Sequence, residues 1–65
     1  MIFVEFTAPH GGKLLIDLSR IVSMEVYNDG SVWVRLSDSA SLLIGEAYED
    51  AKGIILDAAK KGSEQ

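Results

Sequence analysis

The sequence predicts an α+β domain: five short strands in a twisted antiparallel sheet, or a half-open small barrel, followed by one C-terminal helix. Three observations predict it. Apolar residues alternate with period two in five successive segments, turn-forming residues separate those segments, and the C-terminal stretch changes to helical spacing.

The first strand spans residues 2–7, where Ile2, Val4 and Phe6 alternate with Phe3, Glu5 and Thr7. "APHGG" follows, and its proline and two glycines mark a turn. The second strand, residues 13–18, sets Leu14, Ile16 and Leu18 on one face, and pairing Phe6 with Leu14 keeps both apolar sets on the same side. A short corner leads to the third strand, residues 21–27, with Val22, Met24 and Val26. "NDG" then leads to the fourth, residues 31–36, with Val32, Val34 and Leu36. After "SDS" the fifth strand, residues 40–44, carries Ala40, Leu42 and Ile44.

The turn at "NDG" decides which way Trp33 points, because a one-residue slip in a hairpin moves every side chain to the other face. A two-residue Asp29-Gly30 loop opposes Val26 to Trp33 and mixes both faces. A three-residue loop of Asn28, Asp29 and Gly30, with Gly30 supplying the left-handed residue, opposes Val26 to Val32 and Met24 to Val34. One face is then wholly apolar: Val22, Met24, Val26, Val32, Val34 and Leu36. The three-residue loop is therefore the expected one, and it places Trp33 on the opposite face beside Glu25, Tyr27 and Arg35.

Equivalent loops in the other hairpins put Leu43 across from Trp33 and turn Phe3 and Leu15 the same way. The predicted interface is thus Phe3, Leu15, Glu25, Tyr27, Trp33, Arg35 and Leu43. A bland reading makes the large apolar members a second small core under the helix or inside a curled barrel. The sharper reading makes them a docking surface, since contiguous exposed apolar patches mark interaction sites and Trp, Tyr and Arg dominate binding hot spots.

The helix is predicted over residues 46–60. Ala47, Ala51, Ile54, Ile55 and Ala58 recur at helical spacing, Glu46, Glu49 and Asp50 stand at its start, and Lys60 and Lys61 near its end. Gly62 is the expected stop, with residues 62–65 a disordered tail of a single domain covering 1–65. Gly53 in mid-helix costs up to ~1 kcal/mol relative to alanine, a hint of close backbone packing or a plain imperfection.

Sixty-five residues lie near the size where one core is marginal without added support. The chain has no cysteine, so disulfides and thiolate metal sites are excluded, and association is the remaining support. A net charge of −4 with six scattered basic residues disfavours nucleic acid. The start of the chain lacks a basic region before its apolar run, which contains Glu5, and no stretch reaches membrane-spanning length; a cytoplasmic location is expected.

No catalytic motif is present: there is no glycine-rich phosphate loop, paired-histidine zinc motif or GxSxG elbow. His10 reads as a turn residue, because nucleophilic catalysis needs a base with an orienting partner. Asp29 and Asp38 read as turn formers bonding their own backbone. The Glu46, Glu49, Asp50 cluster offers hard-cation ligands, yet helix-dipole compensation explains it more simply. No cofactor and no metal are expected.

The pattern as a whole, and "IVSMEVYNDGSVWVRLSD" above all, resembles the FlbD-type small swarming-motility proteins of bacteria. That resemblance implies a small, non-enzymatic cytoplasmic protein acting through protein contacts. "APHGG" is longer than that family's usual Asn-Gly turn, and "DLSRI" stands where its Asn-Pro would be. A phage or mobile element is an equally suitable source for this build. The expected function is a homo-oligomeric or protein-binding module using the face around Trp33. The alternative is a small-ligand or nucleotide-binding protein with a pocket between subunits lined by Trp33, Tyr27, Arg35 and His10, since aromatic and guanidinium groups stack on bases.

Overall fold

The computed structural model describes residues 2–63. Each strand expected from alternation is present, one residue shorter than its apolar run: β1 (Phe3–Thr7), β2 (Lys13–Asp17), β3 (Ile21–Val26), β4 (Val32–Leu36) and β5 (Ser41–Ile44), followed by α1 (Tyr48–Ser63). The fold is α+β, as predicted.

All three hairpins turn through one loop geometry. The N–H of Ala8, Tyr27 and Leu36 donates to the carbonyl of Gly12, Ser31 and Ala40, at 2.8 Å in each case. Inside each loop the N–H of Gly11, Gly30 or Ser39 donates back to Ala8, Tyr27 or Leu36, and those three residues hold the positive φ values of +100°, +87° and +72°. This is the three-residue loop closed by a left-handed residue. It fixes the expected registers: Phe6 faces Leu14, Met24 faces Val34, Val26 faces Val32 and Trp33 faces Leu43.

The strands form two sheets where the sequence suggested one. β1 pairs with β2, and β3, β4 and β5 pair in that order, all antiparallel. The division falls at the corner after β2. There the Asp17 carboxylate accepts from the Ser19 N–H at 3.0 Å and hydroxyl at 2.9 Å, opening a 3₁₀ turn at Leu18–Arg20 in place of a hairpin loop. The turn is tied to the far end of the second sheet, where the Ser37 N–H donates to the Arg20 carbonyl at 2.8 Å and Arg20 meets Asp38 at 3.3 Å. At the other end the sheets touch through the Gly45 N–H, which donates to the Thr7 carbonyl at 2.7 Å.

The core lies between the sheets and under the helix. Val4, Phe6 and Ile16 come from the first sheet, Val32, Val34 and Ile44 from the second, and Ala51 and Ala58, seven positions apart on one face, from α1. β4 is flanked on both sides, so Val32 and Val34 are fully buried. Among the described residues no polar or charged side chain is buried.

Three details differ from the sequence reading. A bulge between Ile21 and Ser23 opposes Ile21 to Leu36, so Ile21 packs against the core where Val22 was expected, and Val22 is 64% exposed. The helix begins two residues later than predicted and runs through Gly62 to Ser63; of the expected tail, residues 64–65 lie outside the described residues. Gly53 is on an exposed helix position, and a methyl group there meets no neighbouring atom within 4 Å, so close packing is not the reason for it.

Candidate functional site

The outward face of the β3–β4–β5 sheet is built around Trp33. Because Met24 and Val34 turn to the core, their chain neighbours Glu25, Trp33 and Arg35 turn outward, and the registers set Trp33 between Glu25 on β3 and Leu43 on β5. The indole is half-buried. Tyr27 stands next to it at the end of β3, with ring centroids 6.0 Å apart and planes tilted by 37°, within the range of favourable aromatic pairs.

The turn that sets the register also holds the indole. Ser31 donates its hydroxyl to the Asp29 carboxylate at 2.6 Å and accepts from the Trp33 Nε1–H at 3.3 Å, while its backbone N–H donates to the same Asp29 oxygen at 2.9 Å. Those two Ser31 donors hold the Asp29 carboxyl below the usual carboxylate range, the hydroxyl first and the backbone N–H second. Asp29 is thus the turn former its position suggested. Sequence reasoning missed Ser31 as the link to the tryptophan. The signal is the Asp-x-Ser spacing, which recurs at Asp17 and Ser19 with the same carboxylate-to-hydroxyl and carboxylate-to-N–H bonds.

On the far side of Trp33, Arg35 Nη2 lies 3.7 Å from Glu25 Oε1, with both side chains more than half exposed. A pair so open contributes little stability, about 0–1 kcal/mol, and its effect is to rim the aromatic pair with a balanced charge.

The seven residues of the predicted surface divide between the two sheets. Glu25, Tyr27, Trp33, Arg35 and Leu43 share the outward face just described. Phe3 and Leu15 belong to the β1–β2 sheet, where both are exposed. Phe3 borders an open groove of about 350 Å³ between β1 and α1, with Ile2, Ile54, Asp57 and Lys61 around it.

His10 is exposed in its loop, and its Nδ1 accepts from the Gly12 N–H at 3.3 Å. Glu46 precedes the helix, and both its carboxylate oxygens accept from the Thr7 N–H. Among the described residues no three His, Asp or Glu side chains converge as a metal site requires, and no helix is long and apolar enough to cross a membrane. No family model, curated protein or solved structure matches the chain.

Proposed function

We propose that the protein is a small, non-enzymatic binding module of the cytoplasm whose β3–β4–β5 face docks a protein surface, a second copy of the chain included. The observation that carries this reading is the indole of Trp33: half-buried on an outward sheet face, paired with Tyr27, fixed through Ser31, and bounded by Leu43 and the Arg35–Glu25 pair. An aromatic anchor already held in one orientation loses little side-chain freedom on binding, and a ring of polar groups around it is the usual build of a hot spot. The Gly45–Thr7 bond between sheet ends supports seeing the two sheets as walls of a half-open barrel, with this face outside it. A role through protein contacts is also what the resemblance to FlbD-type proteins implies.

Trp33 is the only tryptophan, so its emission reports on this face alone. Association covers the indole and moves its emission to shorter wavelength, and Trp33→Ala weakens the complex by roughly tenfold or more. An emission maximum that stays constant to high micromolar concentration, together with a Trp33→Ala chain that retains every partner in pull-down, would overturn the reading.

A further inference from the structure

The loop that sets the register of Trp33 contains the only Asp-Gly step in the chain, Asp29–Gly30. Its glycine answers to the turn, since Gly30 holds a φ of +87° that other residues rarely adopt. The same glycine leaves the backbone nitrogen after Asp29 unshielded, with no heavy atom within 4 Å of where a β-carbon would stand. Both residues are exposed, so water reaches the step. An aspartyl carboxyl group beside such a nitrogen has a route to ring closure. The Gly30 nitrogen attacks Asp29 Cγ; its proton and the carboxyl hydroxide leave together as one water, and a five-membered imide remains. One water then opens the ring at the former main-chain carbonyl. The chain now runs through Cγ as isoaspartate, with no net change in mass.

Two sets of hydrogen bonds oppose this closure in the folded chain. The Gly30 N–H donates to the Tyr27 carbonyl at 2.9 Å and holds the peptide plane after Asp29 in the turn, from which the nitrogen must swing to reach Cγ. The Ser31 N–H and hydroxyl donate to Asp29 Oδ1 at 2.9 and 2.6 Å. They fix the carboxyl group and favour its ionised form, from which hydroxide does not leave. The corner after β2 carries the same clamp, from Ser19 to Asp17, but there Leu18 follows the aspartate and its side chain crowds the nitrogen. At Asp29 the clamp guards a reactive step.

We propose that Asp29–Gly30 is a latent isomerisation site kept closed by Ser31, and that opening of the loop converts Asp29 to isoaspartate and frees Trp33 from its anchor. Isoaspartate adds one carbon to the main chain of a three-residue loop and moves the free carboxylate to the α-carbon, away from the Ser31 donors. Ser31 is also the acceptor for the Trp33 Nε1–H, so the turn and the indole lose their link together. The inference does not rest on what the Trp33 face binds, since it concerns the chemistry of the loop alone.

Trypsin releases residues 21–35 as one peptide, in which Asp29 is the only aspartate. The full-length chain is kept warm at mildly acid pH under native conditions, and the aspartyl and isoaspartyl forms of that peptide are separated by chromatography and distinguished by electron-transfer fragmentation. Wild type is expected to isomerise slowly when folded and much faster in urea. Ser31→Ala should raise the folded rate by roughly fivefold or more, the factor by which one hydrogen bond of ordinary net strength shifts a local opening equilibrium. Ser31→Thr keeps the hydroxyl and should stay near wild type. Glu46→Ala loosens the fold away from this loop and should also leave the folded rate near that of wild type. A wild type that isomerises as fast folded as in urea, a folded Ser31→Ala chain no faster than wild type, or a Glu46→Ala chain accelerated as much as Ser31→Ala would each overturn the inference. The purified isoaspartyl chain is expected to show altered Trp33 emission; an emission spectrum identical to that of wild type would overturn the link to the indole.

Discussion

Glu46 holds Thr7 across 39 residues of sequence: the Thr7 N–H donates to both oxygens of the Glu46 carboxylate, at 2.9 and 2.8 Å. The contact lies beside the Gly45–Thr7 bond, so the end of β5 and the approach to α1 are both fastened to the last residue of β1. Glu46→Ala leaves a partly buried N–H without its acceptor and is expected to cost about 1–2 kcal/mol. Glu46→Gln keeps one acceptor oxygen and should cost less. Urea unfolding followed by circular dichroism measures both, and equal stability of Glu46→Ala and wild type would show that water replaces the carboxylate.

Gly53 offers the opposite sign. It stands within α1, exposed, with open space where a side chain would go. Gly53→Ala removes backbone freedom from the unfolded chain and adds no clash, so it is expected to stabilise by about 0.5–1 kcal/mol. For a domain of this size that is a rise in Tm on the order of 2–8 °C, readable in a thermal melt.

The shared loop geometry makes a paired prediction. Gly30 and Ser39 occupy equivalent left-handed positions, at φ +87° and +72°. Gly30→Ala should destabilise by about 1 kcal/mol, because a β-carbon is disfavoured there. Ser39→Gly should stabilise by a few tenths to about 1 kcal/mol, the relief of strain being partly offset by a freer unfolded chain. Calorimetry of the two variants against wild type gives both signs in one experiment.

Acid should loosen the hairpin and corner turns. Asp17 and Asp29 are both held below the ordinary carboxylate pKa: Asp17 chiefly by the Ser19 N–H and then its hydroxyl, Asp29 chiefly by the Ser31 hydroxyl and then its N–H. A carboxyl whose folded pKa is depressed contributes stability that is present above its unfolded pKa, near 3.8, and is lost as pH falls through the lower folded value. Denaturant midpoints measured from pH 6 downward should therefore fall. The slope should be shallower in Asp29→Asn and shallower again in the double variant with Asp17→Asn. A slope unchanged by both substitutions would assign the acid sensitivity to other carboxyls.

The hairpins were legible in the sequence because they are local. Alternation and a glycine at the right offset fixed the "NDG" loop, and with it the outward turn of Trp33. The "SDS" loop was legible even though a serine, not a glycine, takes the left-handed position. The arrangement of the sheets was not legible. It depends on Asp17 closing a 3₁₀ turn with Ser19 and on Glu46 reaching Thr7, and neither a one-residue bulge nor a contact across 39 residues leaves a mark on periodicity. The bulge exchanged Val22 for Ile21 at the core, two side chains that alternation alone cannot rank. At the candidate surface the same division holds. The residues reached through one hairpin register, Glu25, Tyr27, Trp33, Arg35 and Leu43, lie on one sheet face, whereas Phe3 and Leu15, placed there by assuming a continuous sheet, lie on the other sheet.

Every strand pairing among the described residues joins consecutive strands through a three-residue loop, whereas the Thr7 tether reaches across 39 residues of sequence. Loops so short close in well under a microsecond, and hairpins form within microseconds, so the two sheets are assembled almost as soon as they collapse. The kinetic barrier is left to one event, the arrival of the helix and its preceding glutamate on the first hairpin. Folding is accordingly expected in the millisecond range or faster, on the order seen for small mixed domains rich in local contacts, with residues near that tether controlling the rate.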